Sequence, residues 1–166
     1  MKKLLTLVLA AAALVLGGCA SLQMTPEEKA AEKARIAQVV SDKLDACQYE
    51  ITVDMMYPRR GPSQRLTSPY SLRIDKNKIH SYLPYFGVAY SIPYGGGKAL
   101  NFDGEISRYV ENVTGKRDQR QFLAQVTNDE DTYIYRITVY DNGRADIRVV
   151  SRNREEISFS GEMRVD

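Results

Sequence analysis

Residues 132–151 read TYIYRITVYDNGRADIRVVS, two runs of alternating apolar and polar residues around Asp141-Asn142-Gly143. The length of the connecting loop decides which residues face each other, and a slip of one position moves every side chain to the opposite face of the sheet. A two-residue loop at Asn142-Gly143 would set Val139 against Asp146 and Ile137 against Arg148, mixing core with charge. A three-residue loop, with Gly143 left-handed in a bulge, pairs Val139 with Ala145, Ile137 with Ile147 and Tyr135 with Val149. The apolar pattern selects the second register and an antiparallel hairpin with one buried face.

The period of two extends in both directions from this hairpin. Tyr49, Ile51, Val53, Met55 and Tyr57 alternate with Gln48, Glu50, Thr52 and Asp54. Tyr70, Leu72 and Ile74 alternate with polar neighbours, and Ile79, Ser81 and Leu83 return after Lys76-Asn77 as a second hairpin. Further strands are predicted over 88–92, 99–103, 106–113, 120–127 and 155–160. About eight to ten short strands joined by tight turns, with no helices between them, imply a mainly β fold built as an antiparallel meander. Such a sheet has to deal with its edges, and an up-and-down, lipocalin-like barrel is favoured over a β-sandwich. Residues 48–166 form the single β domain.

One helix is predicted before the strands, over residues 26–47. Thr25-Pro26-Glu27-Glu28 supplies a cap, a proline where its missing N–H costs nothing, and the glutamate of a capping box. Ile36, Val39, Val40, Leu44 and Cys47 fall on one stripe in the second half, so a stalk-like start and a docked end are expected.

Composition adds exclusions. The 166 residues include 43% hydrophobic and 27% charged side chains, 11 Gly, 6 Pro and no Trp, values of one globular domain rather than a collagen, coiled coil or disordered chain. The formal charge of +2 comes from Lys2 and Lys3, and without them bases and acids balance. A neutral chain offers no electrostatic case for nucleic acid, whose binding requires neutralising many phosphates.

Lys2 and Lys3 open a targeting segment, followed by an apolar run from Leu4 to Leu16 and then Gly17, Gly18 and Cys19. That run is too short for a transmembrane helix, which needs about 20 apolar residues. Residues 1–18 are expected to be a signal peptide, Leu16-Gly17-Gly18-Cys19 being similar to a bacterial lipobox. Cys19 is then the lipidation site, a membrane anchor worth about 0.8 kcal/mol per buried methylene, with residues 19–25 as a short tether. Cys47 is left without a disulfide partner and reads as a small buried hydrophobe.

The segment most distinct in composition runs from Tyr57 to Phe102, with five of the six prolines and eight of the fifteen aromatic residues; chemistry is sought there. Tyr85, Phe86, Tyr90 and Tyr94 are too closely spaced for all to face one small core, and Tyr pairs an apolar body with a hydroxyl suited to contacts. Gly95, Gly96 and Gly97 before Lys98 would let a ligand approach bare backbone or form an anion-binding nest. Arg59 and Arg60 around Gly61-Pro62 are candidate readers of a carboxylate or phosphate. His80, the only histidine, lies on the strand face opposite Ile79 and has no companions at metal-ligand spacing. No nucleophile elbow is present, and the carboxylates Asp103 and Glu105 carry no spacing specific to glycoside hydrolysis. No catalytic residue, metal or cofactor is assigned.

Taken together, RGPS at 60–63, SYLPYFG at 81–87, PYGGG at 93–97, NFD at 101–103, DNG at 141–143 and ISFSG at 157–161 resemble a lipoprotein family of gut Bacteroidota defined only as a domain of unknown function, number 4251. The resemblance runs from about Ile51 to the C-terminus. It implies a β fold and a cell-envelope location and brings no assigned activity or catalytic residues. Surface lipoproteins of such bacteria usually carry an acidic run after the lipidated cysteine, and residues 20–25 have none, so an outer-membrane lipoprotein facing the periplasm is favoured over a surface-exposed one.

The expected role is a non-enzymatic module that binds a small amphipathic ligand or an envelope protein through the aromatic and glycine segment. The alternative is a hydrolase acting on envelope glycans or lipids through carboxylates. Cys19→Ser is expected to move the protein from the membrane fraction to the soluble fraction; a variant that still sediments with membranes, its leader intact, would reveal an uncleaved anchor instead.

Overall fold

The computed structural model describes residues 24–91, 97–112 and 118–165. Helix α1 spans Pro26–Asp45. Nine strands follow: β1 (Gln48–Pro58), β2 (Gln64–Arg65), β3 (Ser71–Asp75), β4 (Lys78–Tyr82), β5 (Asn101–Asn112), β6 (Gln119–Thr127), β7 (Thr132–Tyr140), β8 (Arg144–Ser151) and β9 (Ile157–Met163). All pairings are antiparallel. β1 joins β3, the meander continues in sequence order to β9, and β9 pairs back onto β1. Eight strands therefore close a barrel, and β2 is a two-residue addition to β1 beyond the reach of β3. Closure leaves no long sheet edge to cover.

Two compact units divide the chain between Glu32 and Lys33. In the first, the capping box forms as the sequence requires: the Glu28 N–H donates to Thr25 Oγ1 at 3.2 Å and the Thr25 N–H to Glu28 Oε2 at 2.7 Å. In the second, Val40 and Leu44 are buried in the barrel core and Ile36 packs against it. The helix stops at Asp45, two residues before its predicted end. Cys47 lies beyond it, half-buried at φ 51°, so it is the left-handed residue that turns the chain into β1 rather than part of the helical stripe.

The hairpin over Asp141-Asn142-Gly143 takes the three-residue register: Val139 faces Ala145, Ile137 faces Ile147, Tyr135 faces Val149, and Gly143 has φ 83°. Elsewhere the alternation is modified. A bulge between Val53 and Met55 breaks the pattern of β1, so Met56 is buried while Met55 is half-buried and Tyr57 stands 43% exposed. The predicted strands 99–103 and 106–113 are one strand, β5, whose first half pairs with β4 and whose second half pairs with β6. Gly104, which reads as a turn residue, sits inside that strand, and Val126 Cγ1 occupies the space where a side chain would project. The predicted strand 88–92 is a loop, with a single bridge between Ala89 and Arg154; Ile92 lies outside the described residues. β9 begins at Ile157, not 155, and continues to Met163.

Inward side chains fill the barrel. Ile51, Leu72, Ile79, Tyr133, Tyr135, Ile137 and Phe159 are each at most 1% exposed. Three hydrogen bonds between inward hydroxyls and their neighbours cross the barrel: Tyr135 donates to Ser81 Oγ at 3.1 Å, Ser81 donates to the Leu100 carbonyl at 2.7 Å, and Tyr49 and Tyr109 meet at 3.0 Å. Burial raises the pKa of all three tyrosines above the usual phenol value. A packed interior of this kind is a core and not a ligand cavity.

The meander gives the barrel two unlike ends. At the first end lie the β3–β4 turn, the β7–β8 hairpin loop and the end of α1, where Asp45 meets Arg120 at 2.8 Å and Lys43 donates to the Arg164 carbonyl at 2.7 Å. At the second end lie the loops after β1, β4, β6 and β8. Gly143→Val is expected to destabilise the barrel by about 1–2 kcal/mol, the cost of a β-branched residue in the left-handed region. A Cβ there would be in ordinary contact with Val165 Cγ1 and the Met163 carbonyl oxygen, at 3.7 and 3.8 Å, and urea denaturation reads the loss.

Candidate functional site

At the second end, short turns are locked to one another by their own polar side chains. Asn128 Oδ1 accepts the N–H groups of Glu130 and Asp131, each at 2.9 Å. The buried Asp131 carboxylate accepts N–H groups from Thr132, Arg152 and Asn153 at 2.7, 3.2 and 2.9 Å, welding the β6–β7 turn to the β8–β9 turn. Asp and Asn do this because their short side chains reach backbone donors two or three residues away.

On that base sits a buried ion pair. Arg154 Nη2 donates to Glu130 Oε2 at 3.1 Å, and the two side chains are only 6% and 8% exposed. Glu130 Oε1 accepts the Lys98 N–H at 2.7 Å. A Cβ at Gly97 would lie 2.7 Å from Glu130 Oε2 and 2.9 Å from Arg154 Nη2, so a side chain there would oblige the ends of both to shift. The Arg154 guanidinium lies over the Tyr85 ring, 5.5 Å from its centroid. Arg154 Nε and the Tyr133 hydroxyl are buried without partners. Burial raises the Tyr133 pKa, and the Arg154 guanidinium opposes that shift.

A second buried carboxylate stands beside the first pair. Glu155, its side chain 2% exposed, has Oε1 3.1 Å from Arg60 Nε, and its Oε2 accepts the Val88 N–H at 3.3 Å. The Val88 carbonyl accepts the Glu155 N–H at 3.0 Å and the Tyr85 hydroxyl at 2.9 Å. The Tyr90 N–H donates to the Asn153 carbonyl at 2.7 Å. Burial raises the Tyr85 pKa. The backbone from Tyr85 to Tyr90 is thus held on both sides, while Phe86, Val88 and Tyr90 present 54%, 45% and 66% of their surface to solvent.

The candidates named from the sequence converge here. Arg60, Tyr85, Gly97 and Lys98 join one network; Phe86 and Tyr90 stand out from the same loop; Arg59 is exposed beside Arg60. The Lys98 N–H of the expected anion nest is occupied by the chain's own Glu130 carboxylate. Tyr94, Gly95, Gly96 and Cys19 lie outside the described residues. The sequence reading passed over Glu130, Asp131, Arg154 and Glu155, which supply the network's buried charges, and Tyr133, whose hydroxyl is buried beside them. His80 is half-exposed on the barrel wall, its Nδ1 2.7 Å from Asp103 Oδ1.

Open grooves lie at this end and along the wall. One of about 400 Å³ is lined by Lys98, Asn101, Phe102, Asp103, Asn128 and Asp129; another, of about 340 Å³, lies along the barrel wall toward the first end, lined by Lys78, Ile79, His80, Asp103, Gly104 and Glu105. Among the described residues no cluster of His, Cys, Asp and Glu has the arrangement of a metal site, and no helix is long and apolar enough to cross a membrane.

Comparison with known proteins assigns the family. The profile described as Domain of unknown function (DUF4251) matches residues 27–163. The chain is a DUF4251 protein. Among solved structures, the DUF4251 barrel is similar to the crystal structure of a DUF4251 family protein from Bacteroides eggerthii DSM 20697, with a TM-score of 0.60 and 16% sequence identity, over 80% of this chain and 89% of that one. No curated protein matches the chain.

The buried pair predicts a lopsided mutational response in this DUF4251 protein. Arg154→Ala leaves the Glu130 charge buried and uncompensated, and is expected to cost about 3–5 kcal/mol. Arg60→Ala removes a guanidinium that is 76% exposed but is the ion-pair partner of the buried Glu155, and is expected to cost less than Arg154→Ala. Urea denaturation of the two variants measures both.

Proposed function

We propose that this DUF4251 protein is a lipid-anchored component of the cell envelope, held through Cys19, whose barrel is a non-enzymatic interaction module. The observation that carries this is the loop 85–90, a hydrogen-bonded backbone presenting Phe86, Val88 and Tyr90 to solvent. Exposed large apolar side chains on a pre-ordered backbone favour binding, because little conformational entropy remains to be lost on contact. The filled barrel supports a partner that meets the surface, whether an amphipathic small molecule or an envelope protein, over one carried inside.

Buried carboxylates are the observation on the side of a hydrolase. Glu130 and Glu155 each face a guanidinium and a backbone N–H, an arrangement that suits a structural pin.

The double variant Phe86→Ser/Tyr90→Ser is expected to melt at the wild-type temperature, since neither ring is buried, and to lose what the native lipoprotein retains on purification from membranes. At about 2 kcal/mol for each anchor truncated, affinity should fall by at least an order of magnitude. Unchanged retention, measured by mass spectrometry of the co-purified material, would remove this loop as the contact.

A further inference from the structure

Along the outer wall of the barrel, Asp, Glu, Lys and Arg residues that stand directly opposite one another on neighbouring strands are of unlike sign, with one exception. Glu50 faces Arg73, Asp75 faces Lys78, Lys78 faces Glu105 and Arg144 faces Glu162. Among the described residues, Arg136 of β7 breaks the rule by facing Arg148 of β8. Like charges in that position, about 5 Å apart at Cβ, are destabilising. On its other side Arg136 faces Leu123, and among the described residues its exposed side chain forms no hydrogen bond or ion pair. Arg148 meets Glu156, whose Oε1 lies 2.8 Å from its Nε. Both arginines line an open groove of about 340 Å³ with Gln121, Thr138, Asp146 and Ser158. Asp146 accepts the Tyr140 hydroxyl at 3.0 Å. The side chains of Gln121, Thr138 and Ser158 have no hydrogen-bond partner among the described residues. Arg136, Arg148, Asp146 and Glu156 balance in charge, so the groove is marked by a short-range excess of donors and not by a long-range field.

We propose that this groove binds a single oxyanion, a carboxylate or phosphate group carried on a small polar ligand, between Arg136 and Arg148. A guanidinium offers either group two parallel N–H bonds, and a negative charge between the two arginines turns their repulsion into two attractions. Thr138, Ser158 and the Gln121 amide supply neutral donors for the remaining oxygens. The balance of charge selects a small ligand over a polyanion, because Asp146 and Glu156 repel any further negative group. The arginines stand on adjacent strands of a closed barrel, so their spacing is set before a ligand arrives. The site is separate from the loop 85–90 and does not depend on the role proposed for that loop.

The test follows the arginine Nε–H signals by NMR in the full chain, held in nonionic detergent micelles and titrated with glucuronate, glucose 6-phosphate and glucose. The Arg136 and Arg148 signals should move together and saturate with at least one of the two anions, and glucose should move neither. Arg144, which faces Glu162, should not follow. The anion that binds more tightly identifies the group as carboxylate or phosphate. Arg136→Gln should weaken that binding by at least about tenfold, the loss of a charge-assisted contact. Without ligand, the same variant should melt no lower than the wild type, because it relieves the facing charges. No saturable shift with either anion overturns the proposal, and a shift shared equally by Arg144 overturns it as an adventitious ion only. An Arg136→Gln chain that melts well below the wild type without ligand overturns the premise, since the arginine then serves the fold.

Discussion

The seam between β1 and β9 is the constraint on which the rest depends. β1 pairs on one side with β3 through Thr52 and on the other with β9 from Ile51 to Pro58, and within the β9 pairing the register shifts between Val53 and Met55. The approach there is close enough that a side-chain carbon on Gly161 would run into the Thr52 carbonyl. Glycine is therefore a geometric requirement at the point of closure. Closing the ring removes the sheet's open edges and fixes which loops share an end.

Once closed, the second end is organised by buried charge rather than by apolar contact. The carboxylates of Glu130, Asp131 and Glu155 are removed from solvent but satisfied by short backbone and ion-pair contacts, which is the condition under which burial of such groups is tolerable; Arg154 is paired through Nη2, while its Nε is buried without a partner. Most of these contacts involve backbone donors, so they fix loop conformation directly. The apolar side chains left outside then project from a platform that does not need to reorganise.

Much of the barrel was legible in the sequence because local patterns were sufficient. Side-chain alternation and loop length together determined the register at Asp141, and the capping box at Thr25 depends on residues three apart. Reading failed where a neighbouring strand decided the outcome. The bulge in β1 lies within its pairing with β9, and Gly104 lies inside β5 with Val126 over the space a side chain would take. Residues 88–91 look like a strand, but their hydrogen bonds go to the 153–155 loop. For the site, the sequence drew attention to Arg60, Tyr85, Phe86, Tyr90, Gly97 and Lys98 through composition. It gave no local sign of Glu130, Arg154 and Glu155, which lie in short charged turns that resemble solvent-exposed connections. The available signal was parity: in a meander every second loop falls at the same end, so the turns at 128–131 and 152–156 share an end with the two richer loops.

The polar network also ties together distant parts of the chain. Its members come from the loop after β1, the segment before β5 and the turns before β7 and β9, so no part of the chain can assemble it alone. Contacts this distant in sequence pay their loop-closure entropy before they return any stabilisation. The loop 85–90 is held by contacts with residues 153–155, more than 60 positions later in the chain, so its conformation depends on the turn that precedes the last strand.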